Sequence, residues 1–310
     1  MKIAILDTGI APNNVVHGYR DFIKDSETPC TDSTGHGTKV FRLLRRICDN
    51  AHIFVGRIWD KSQLEDNTKS AELLESVSSI FHTQASLNLN IAQIPNRFAE
   101  IQAIRWAKQK WKVDIIIIPS GLQTRYDSVE TAIEEANISR ILTFASTSNY
   151  ANLEDLYFPG CLYAHGKVIT LFSTNAMVKA STPHNPTPRE TAKDKAFAIL
   201  GEDIVLDSTT TLNGTSFSTT IGAGVAARVI DFARVPTHRG KIGKVEEFKK
   251  VEGMLSVFGR MAPRTDNSYR CMAPWQICDI RQMDSEERAD AIKRQQDEVC
   301  QSLREALRNI

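Results

Sequence analysis

The chain has 310 residues, 42% of them hydrophobic and 24% charged, with a formal net charge of +1. That length suits one large α/β domain, with room for a helical appendage. The near-neutral balance supplies no basic excess for nucleic acid or an anionic membrane, and no apolar run approaches the ~18 residues of a membrane span. The densest basic runs, Arg42-Arg45-Arg46 and Lys241 to Lys250, are interleaved with apolar or acidic residues and read as solvated helix faces.

In chain order, KIAIL (2–6) is a short apolar run stopped by Asp7-Thr8-Gly9, the pattern of a buried strand. HGTKVFRLLRRIC (36–48) puts Val40, Leu43, Leu44 and Ile47 on one helical face. HIFVGRIW (52–59) is strand-like, and 60–95 is long and mostly polar. A helix is expected over 98–111, with Ile101, Ile104, Ala107 and Trp111 in phase and Trp106 and Trp111 in the core. VDIIIIPSG (113–121) is an apolar strand ending in a Ser-Gly turn; 127–137 reads as a helix and 140–147 as a strand. VITLF (168–172) is strand-like, and 180–195 is a loop rich in Pro, Thr and Lys. TSFSTTIGAGVAARVIDFA (215–233) is an apolar helix crowded with small residues, so it must approach its neighbours closely. The tail from about 235 alternates charged and apolar residues. Its terminal helix, 285–310, carries Ile292, Val299, Leu303, Leu307 and Ile310 on one side. Apolar strands alternating with amphipathic helices imply a doubly wound α/β fold, a mostly parallel sheet with helices on both faces. The expected organisation is one domain over 1–235 and a helical C-terminal extension over 236–310.

The N-terminus shows no h-region or signal cleavage site. A cytoplasmic location follows as the expectation, with Cys30, Cys48, Cys161, Cys271, Cys278 and Cys300 as reduced thiols. Cys271 and Cys278 lack a second pair and a nearby His, so no metal site is expected, and no cofactor. His17, His52, His82, His165, His184 and His238 have no carboxylate or metal pattern around them and read as structural or surface residues.

Chemistry in an α/β sheet gathers at the carboxyl ends of strands. Asp7 stands directly after the first strand. Asp7-Thr8-Gly9 by itself admits three readings: one of an aspartic protease's two carboxylates, the carboxylate of a serine-protease triad, or a turn with no chemistry. His36 opens a helix within Gly35-His36-Gly37-Thr38, whose glycines permit a tight turn. Ser216 opens the small-residue helix within Asn213-Gly214-Thr215-Ser216, where the helix N-terminus favours a developing negative charge. A serine becomes a nucleophile only with a base, and the base needs a carboxylate to fix its tautomer. The chain order here is Asp, His, Ser.

These stretches, with IIIIPSGL at 115–122 and FASTSNY ending in Asn149-Tyr150, resemble the subtilisin-like serine proteases (the subtilase family) over roughly residues 1 to 235. The resemblance implies a serine endopeptidase with Asp7, His36 and Ser216 as its triad. Asn149 matches the family's side-chain oxyanion donor, alongside the Ser216 N–H. Ser120, Gly121 and Leu122 match the segment that lines the primary specificity pocket and pairs with substrate backbone. An aspartic protease would need a second such loop, or a dimer, to pair two carboxylates, and neither would explain the His and Ser motifs.

Departures from the family pattern are local. The Gly-Leu order at 121–122 is inverted, Lys39 stands for a second His, Phe41 and Arg42 stand for small residues, and Phe217-Ser218-Thr219-Thr220 replaces Met-Ala-Ser-Pro. Subtilases usually carry a prodomain, whereas Asp7 here stands almost at the first residue. The chain is expected to be an excised domain, a truncated gene model, or one of the intracellular subtilase domains of large fungal proteins, which it most resembles. Marginal folding alone, or control by a missing N-terminal segment or regulatory domain, is the expected consequence. Expected partners are otherwise a protein or peptide substrate, with no nucleic acid and no membrane. The rival reading is a regulatory or interaction domain of a larger receptor-like protein with a latent protease site.

Overall fold

The structure, a computed structural model, describes residues 1–29, 32–59, 96–122, 124–147, 149, 156–277, 288–308 and 310. Cys30, the polar stretch 60–95, Tyr150 and Cys278 lie outside these residues, and His82 with them.

Five strands make the sheet that carries the candidate residues: β1 (Lys2–Asp7), β2 (Gly18–Asp21), β3 (His52–Arg57), β4 (Ile115–Ile118) and β5 (Leu142–Ala145). Their order is β2-β3-β1-β4-β5, and every pairing is parallel. Beyond β5, Ile169 exchanges hydrogen bonds with Thr143 and Ala145 and leads into β6 (Leu171–Thr174). β6 pairs in parallel with β7 (Phe197–Leu200). β8 (Ile204–Asp207) and β9 (Thr210–Leu212) form a separate hairpin.

Alternation divides the buried strand residues between two cores. Ile3, Ile5, Ile115 and Ile117 face α1 (His36–Ile47) and α4 (Thr215–Arg234). Ala4, Leu6, Ile116 and Ile118 face α2 (Asn96–Trp106) and α3 (Asp127–Ile138). The isoleucines of β4 are 0% exposed, so each contributes about 1.5–3 kcal/mol of apolar burial. Both faces are covered, as the unbroken apolar runs require. α2 runs into a π-helical turn, Ala107–Trp111, ended by Lys112 in the left-handed region. Trp106 and Trp111 are partly buried against the second core, and the Arg20 guanidinium lies over Trp106 at 4.0 Å.

The small residues of α4 allow the expected close approaches. A Cβ on Gly222 would lie 2.6 Å from Leu171 of β6, and one on Gly224 would lie 2.7 Å from Ile47 of α1. α4 therefore packs closely on both β6 and α1, and the 5.7 Å between the His36 and Phe217 rings sets its N-terminus beside that of α1.

After α4 come α5 (Pro236–Ile242) and α6 (Val251–Met261). A hairpin follows, β10 (Arg264–Asp266) with β11 (Tyr269–Cys271), and β11 adds in parallel to β7. α7 (Arg288–Ala306) ends the order. Val299, Leu303 and Leu307 are buried as the apolar stripe suggests, but Ile292 and Ile310 are 45% and 38% exposed. The stripe is longer than the surface that covers it. No helix among the described residues is long and apolar enough to cross a membrane.

Candidate active site

Asp7 ends β1 and is 0% exposed. One carboxylate oxygen accepts the Thr8 N–H at 2.7 Å. The two oxygens lie 2.9 and 2.8 Å from His36 Nδ1. A carboxylate only accepts, so Nδ1 carries the proton and the neutral ring presents Nε2 as a base. β1 lies between β3 and β4, where the direction of strand succession reverses, so Asp7 occupies the switch point at which open α/β sheets place their chemistry.

His36 is the first residue of α1, and its side chain is 20% exposed. Two glycines bring the His motif onto the Asp loop. Gly9 has φ 112°, in the region that favours glycine, and a Cβ on Gly37 would lie 2.3 Å from the Gly9 carbonyl oxygen. Burial pulls the imidazole pKa down. The charge and hydrogen bond of Asp7 and the charge of Asp32 outweigh that, with Lys39 opposing, and the net value is raised above 6.5.

Nothing in the sequence pattern marks Asp32 as a site residue. It is 8% exposed and accepts hydrogen bonds from the Gly35 N–H (3.0 Å), the Thr38 N–H (2.8 Å), Thr38 Oγ1 (2.6 Å) and Thr8 Oγ1 (2.9 Å), with Thr34 Oγ1 at 3.1 Å. Burial would raise its pKa, but the bonds from Thr38, Thr8 and Thr34 hold it below the usual aspartate value. The Thr34 hydroxyl accepts the His36 N–H, and the Thr8 hydroxyl accepts the Gly37 N–H, both at 3.1 Å. Every free N–H at the start of α1 thus has a side-chain partner. The only advance signal was the run of hydroxyls and one acid in DSTGHGT.

Ser216 is the second residue of α4 and is 8% exposed. Its Oγ donates to the Pro119 carbonyl at 2.6 Å rather than to His36. Pro119 follows β4, so strand end and serine helix meet directly. The Phe217 ring lies 5.7 Å from the imidazole, centre to centre. Asn149 stands after β5, and its Oδ1 accepts the Thr215 N–H (2.6 Å) and the Thr215 hydroxyl (2.8 Å). That leaves its Nδ2 as the donor end. Gly214, with φ 123°, precedes the helix; a Cβ there would lie 3.0 Å from Asn149 Oδ1. Glycine is what lets the amide reach the helix start.

Ser120, Gly121 and Leu122 continue from Pro119. Leu122 pairs antiparallel with Phe158, its N–H donating at 2.6 Å and its carbonyl accepting at 2.8 Å. Tyr157 packs on the bare face of Gly121, where a Cβ would lie 2.6 Å from Tyr157 Cβ. The inverted Gly-Leu order therefore has a local reason: Tyr157 occupies the space a side chain at 121 would need. Among the described residues no group of three His, Cys, Asp or Glu is placed to hold a metal ion.

The structure thus brings Asp7, His36, Ser216, Asn149 and the 120–122 segment to one end of the sheet, on a subtilisin-like α/β architecture. No family model matches the chain. A subtilisin-like protease, het-Q2 of Podospora anserina, is 27% identical over 257 residues, which is 77% of this chain and 62% of that protein. A mutant of the protease domain of PatA superposes with a TM-score of 0.62 at 15% identity, covering 89% of this chain and 93% of that one. A cold-adapted subtilisin-like serine proteinase superposes with a TM-score of 0.50 at 17% identity, covering 74% and 75%. In sequence the chain is similar to a subtilisin-like protease, and its fold is that of the subtilisin-like proteases. It spans about 62% of the length of the fungal relative it matches.

Proposed function

We propose that the chain is a serine endopeptidase that hydrolyses peptide bonds through Asp7, His36 and Ser216. The observation that carries this is the Asp7–His36 pair: a carboxylate 2.8 Å from Nδ1, with a serine opening the adjoining helix. The similarity to a fungal protease over 77% of the chain supports it.

Ser216 Oγ turns about χ1 from the Pro119 carbonyl toward His36 Nε2. As Oγ attacks the scissile carbonyl, Nε2 takes its proton, and Asp7 stabilises the imidazolium that forms. Asn149 Nδ2 and the Ser216 N–H hold the oxyanion at the positive end of α4. The imidazolium then protonates the leaving amine, and water repeats the sequence on the acyl-enzyme. Residues 120–122 align the substrate backbone, with the pocket wall at Gly121 narrowed by Tyr157. The substrate is a protein or peptide segment that reaches the cleft extended.

A fluorogenic peptide library assayed with wild type and Ser216→Ala tests the reading. Cleavage by wild type alone is expected. Equal turnover by the two proteins would overturn it.

A further inference from the structure

We propose that Asp32 is a positioning residue of this site: it locks the Asp7–Thr8 loop to the start of α1 and supplies a second fixed negative charge behind His36. The inference rests on the serine-protease reading above.

Asp32 is more than a helix cap. A cap accounts for its bonds to the Gly35 and Thr38 N–H groups. It does not account for the bond from Thr8, which comes from the end of β1, 24 residues away in sequence. Thr8 in turn accepts the Gly37 N–H, one residue beyond the imidazole. The Thr38 hydroxyl donates to Asp32 and accepts the Ala11 N–H at 2.9 Å, tying down the far side of the same loop. Asp7 and His36 are borne by separate segments, and these bonds set the distance between them. Catalytic groups lose large factors when displaced by an ångström.

Charge also acts on the imidazole. His36 sits at the first position of α1, where the helix dipole disfavours an imidazolium. The first turn of α1 contains no acidic residue, and Lys39 adds a positive charge. Asp7 from β1 and Asp32 from the preceding loop favour the charged ring and Lys39 from α1 opposes it; α4 presents the uncharged Phe217. Among the described residues no lysine or arginine pairs with Asp32. Hydroxyl and amide dipoles hold its charge, so its field is not cancelled by an ion pair. A carboxylate in that position favours the imidazolium formed as Ser216 loses its proton.

The test is Asp32→Asn, read two ways. NMR titration of the His36 ring, with Ser216→Ala as the background, should show a midpoint lowered by about half a pH unit or more. The acid limb of kcat/KM should move the same way, with kcat reduced and KM little changed. A folded Asp32→Asn protein with both midpoints unchanged would overturn the proposal and leave Asp32 as a cap. Should that variant not fold, Thr8→Val and Thr8→Ser decide. Val should lower kcat about tenfold at constant KM, and Ser, which keeps the hydroxyl, should restore it; a fully active Thr8→Val protein would contradict the proposal. If no peptide is cleaved by any form, the protease reading fails, while the His36 titration still decides the role of Asp32.

Discussion

The two halves of the site are built differently. The acid–base half is closed. Asp7 and His36 are in contact, and Thr8, Thr34, Thr38 and Asp32 satisfy the loop and the helix start around them. The nucleophile half is anchored but not joined to it. Asn149 grips Thr215, while the Ser216 hydroxyl is held by the Pro119 carbonyl. His36, the proposed base, is held by fixed hydrogen bonds between segments. In the proposed mechanism a rotation about χ1 carries the Ser216 hydroxyl from the Pro119 carbonyl toward His36. Hydrogen bonds at catalytic serines are often loose before substrate binds, so preparation of the base and engagement of the serine can be separate events.

Mutations can break each half in turn. Ser216→Ala should have the largest effect, a loss of about 10⁶ in kcat, the scale known from subtilisin. Its melting temperature should stay near that of wild type, because one hydrogen bond to Pro119 is all the fold loses; kcat of the variant against an inhibitor-treated blank measures it. Asn149→Ala should cost about 10²–10³ in kcat, the scale of a lost oxyanion donor in that family. KM should change little. Gly37→Ala attacks the closed half through packing. The new Cβ would meet the Gly9 carbonyl, a backbone atom that cannot swing away. It should lower stability by ~2–3 kcal/mol and depress activity with it, read by urea denaturation alongside kcat.

The smallest effect is in pH. Because the His36 pKa is raised above 6.5, the base form prevails only at higher pH. The acid limb of kcat/KM should therefore have its midpoint above 6.5, and a profile flat from pH 4 to 9 would contradict the assignment. The stability sign is opposite. A histidine whose pKa rises on folding stabilises fully below about 6.5 and loses that contribution as pH rises through its folded value. His36→Ala should remove that pH-dependent part of the unfolding free energy.

Much of the fold was legible because it rests on long apolar runs. The four isoleucines of β4 and the face of α1 at Val40, Leu43 and Leu44 appear where periodicity puts them. The short strands β2, β7 and β11 were not legible. Each is four residues or fewer and takes its identity from the neighbour it pairs with. α6 was obscured by Gly253 and Gly259, poor helix formers. Gly253 is required because a Cβ there would lie 2.0 Å from the Glu247 carbonyl. For the site, the motif glycines and the strand–turn and turn–helix boundaries were legible as backbone constraints. Asp32 was not, because its role depends on the Thr8 hydroxyl, 24 residues away, converging on it with those of Thr34 and Thr38. Nor was the Ser216–Pro119 contact, which is a choice of rotamer.

The most direct test of the account is covalent labelling by a fluorophosphonate serine-hydrolase probe, comparing wild type with Ser216→Ala and His36→Ala. The probe reacts with a serine only when a base and an oxyanion site serve it. Labelling of wild type and of neither variant is the predicted result. A folded wild type that stays unlabelled, or labelling that survives Ser216→Ala, would contradict the assignment of Asp7, His36 and Ser216 as one catalytic unit.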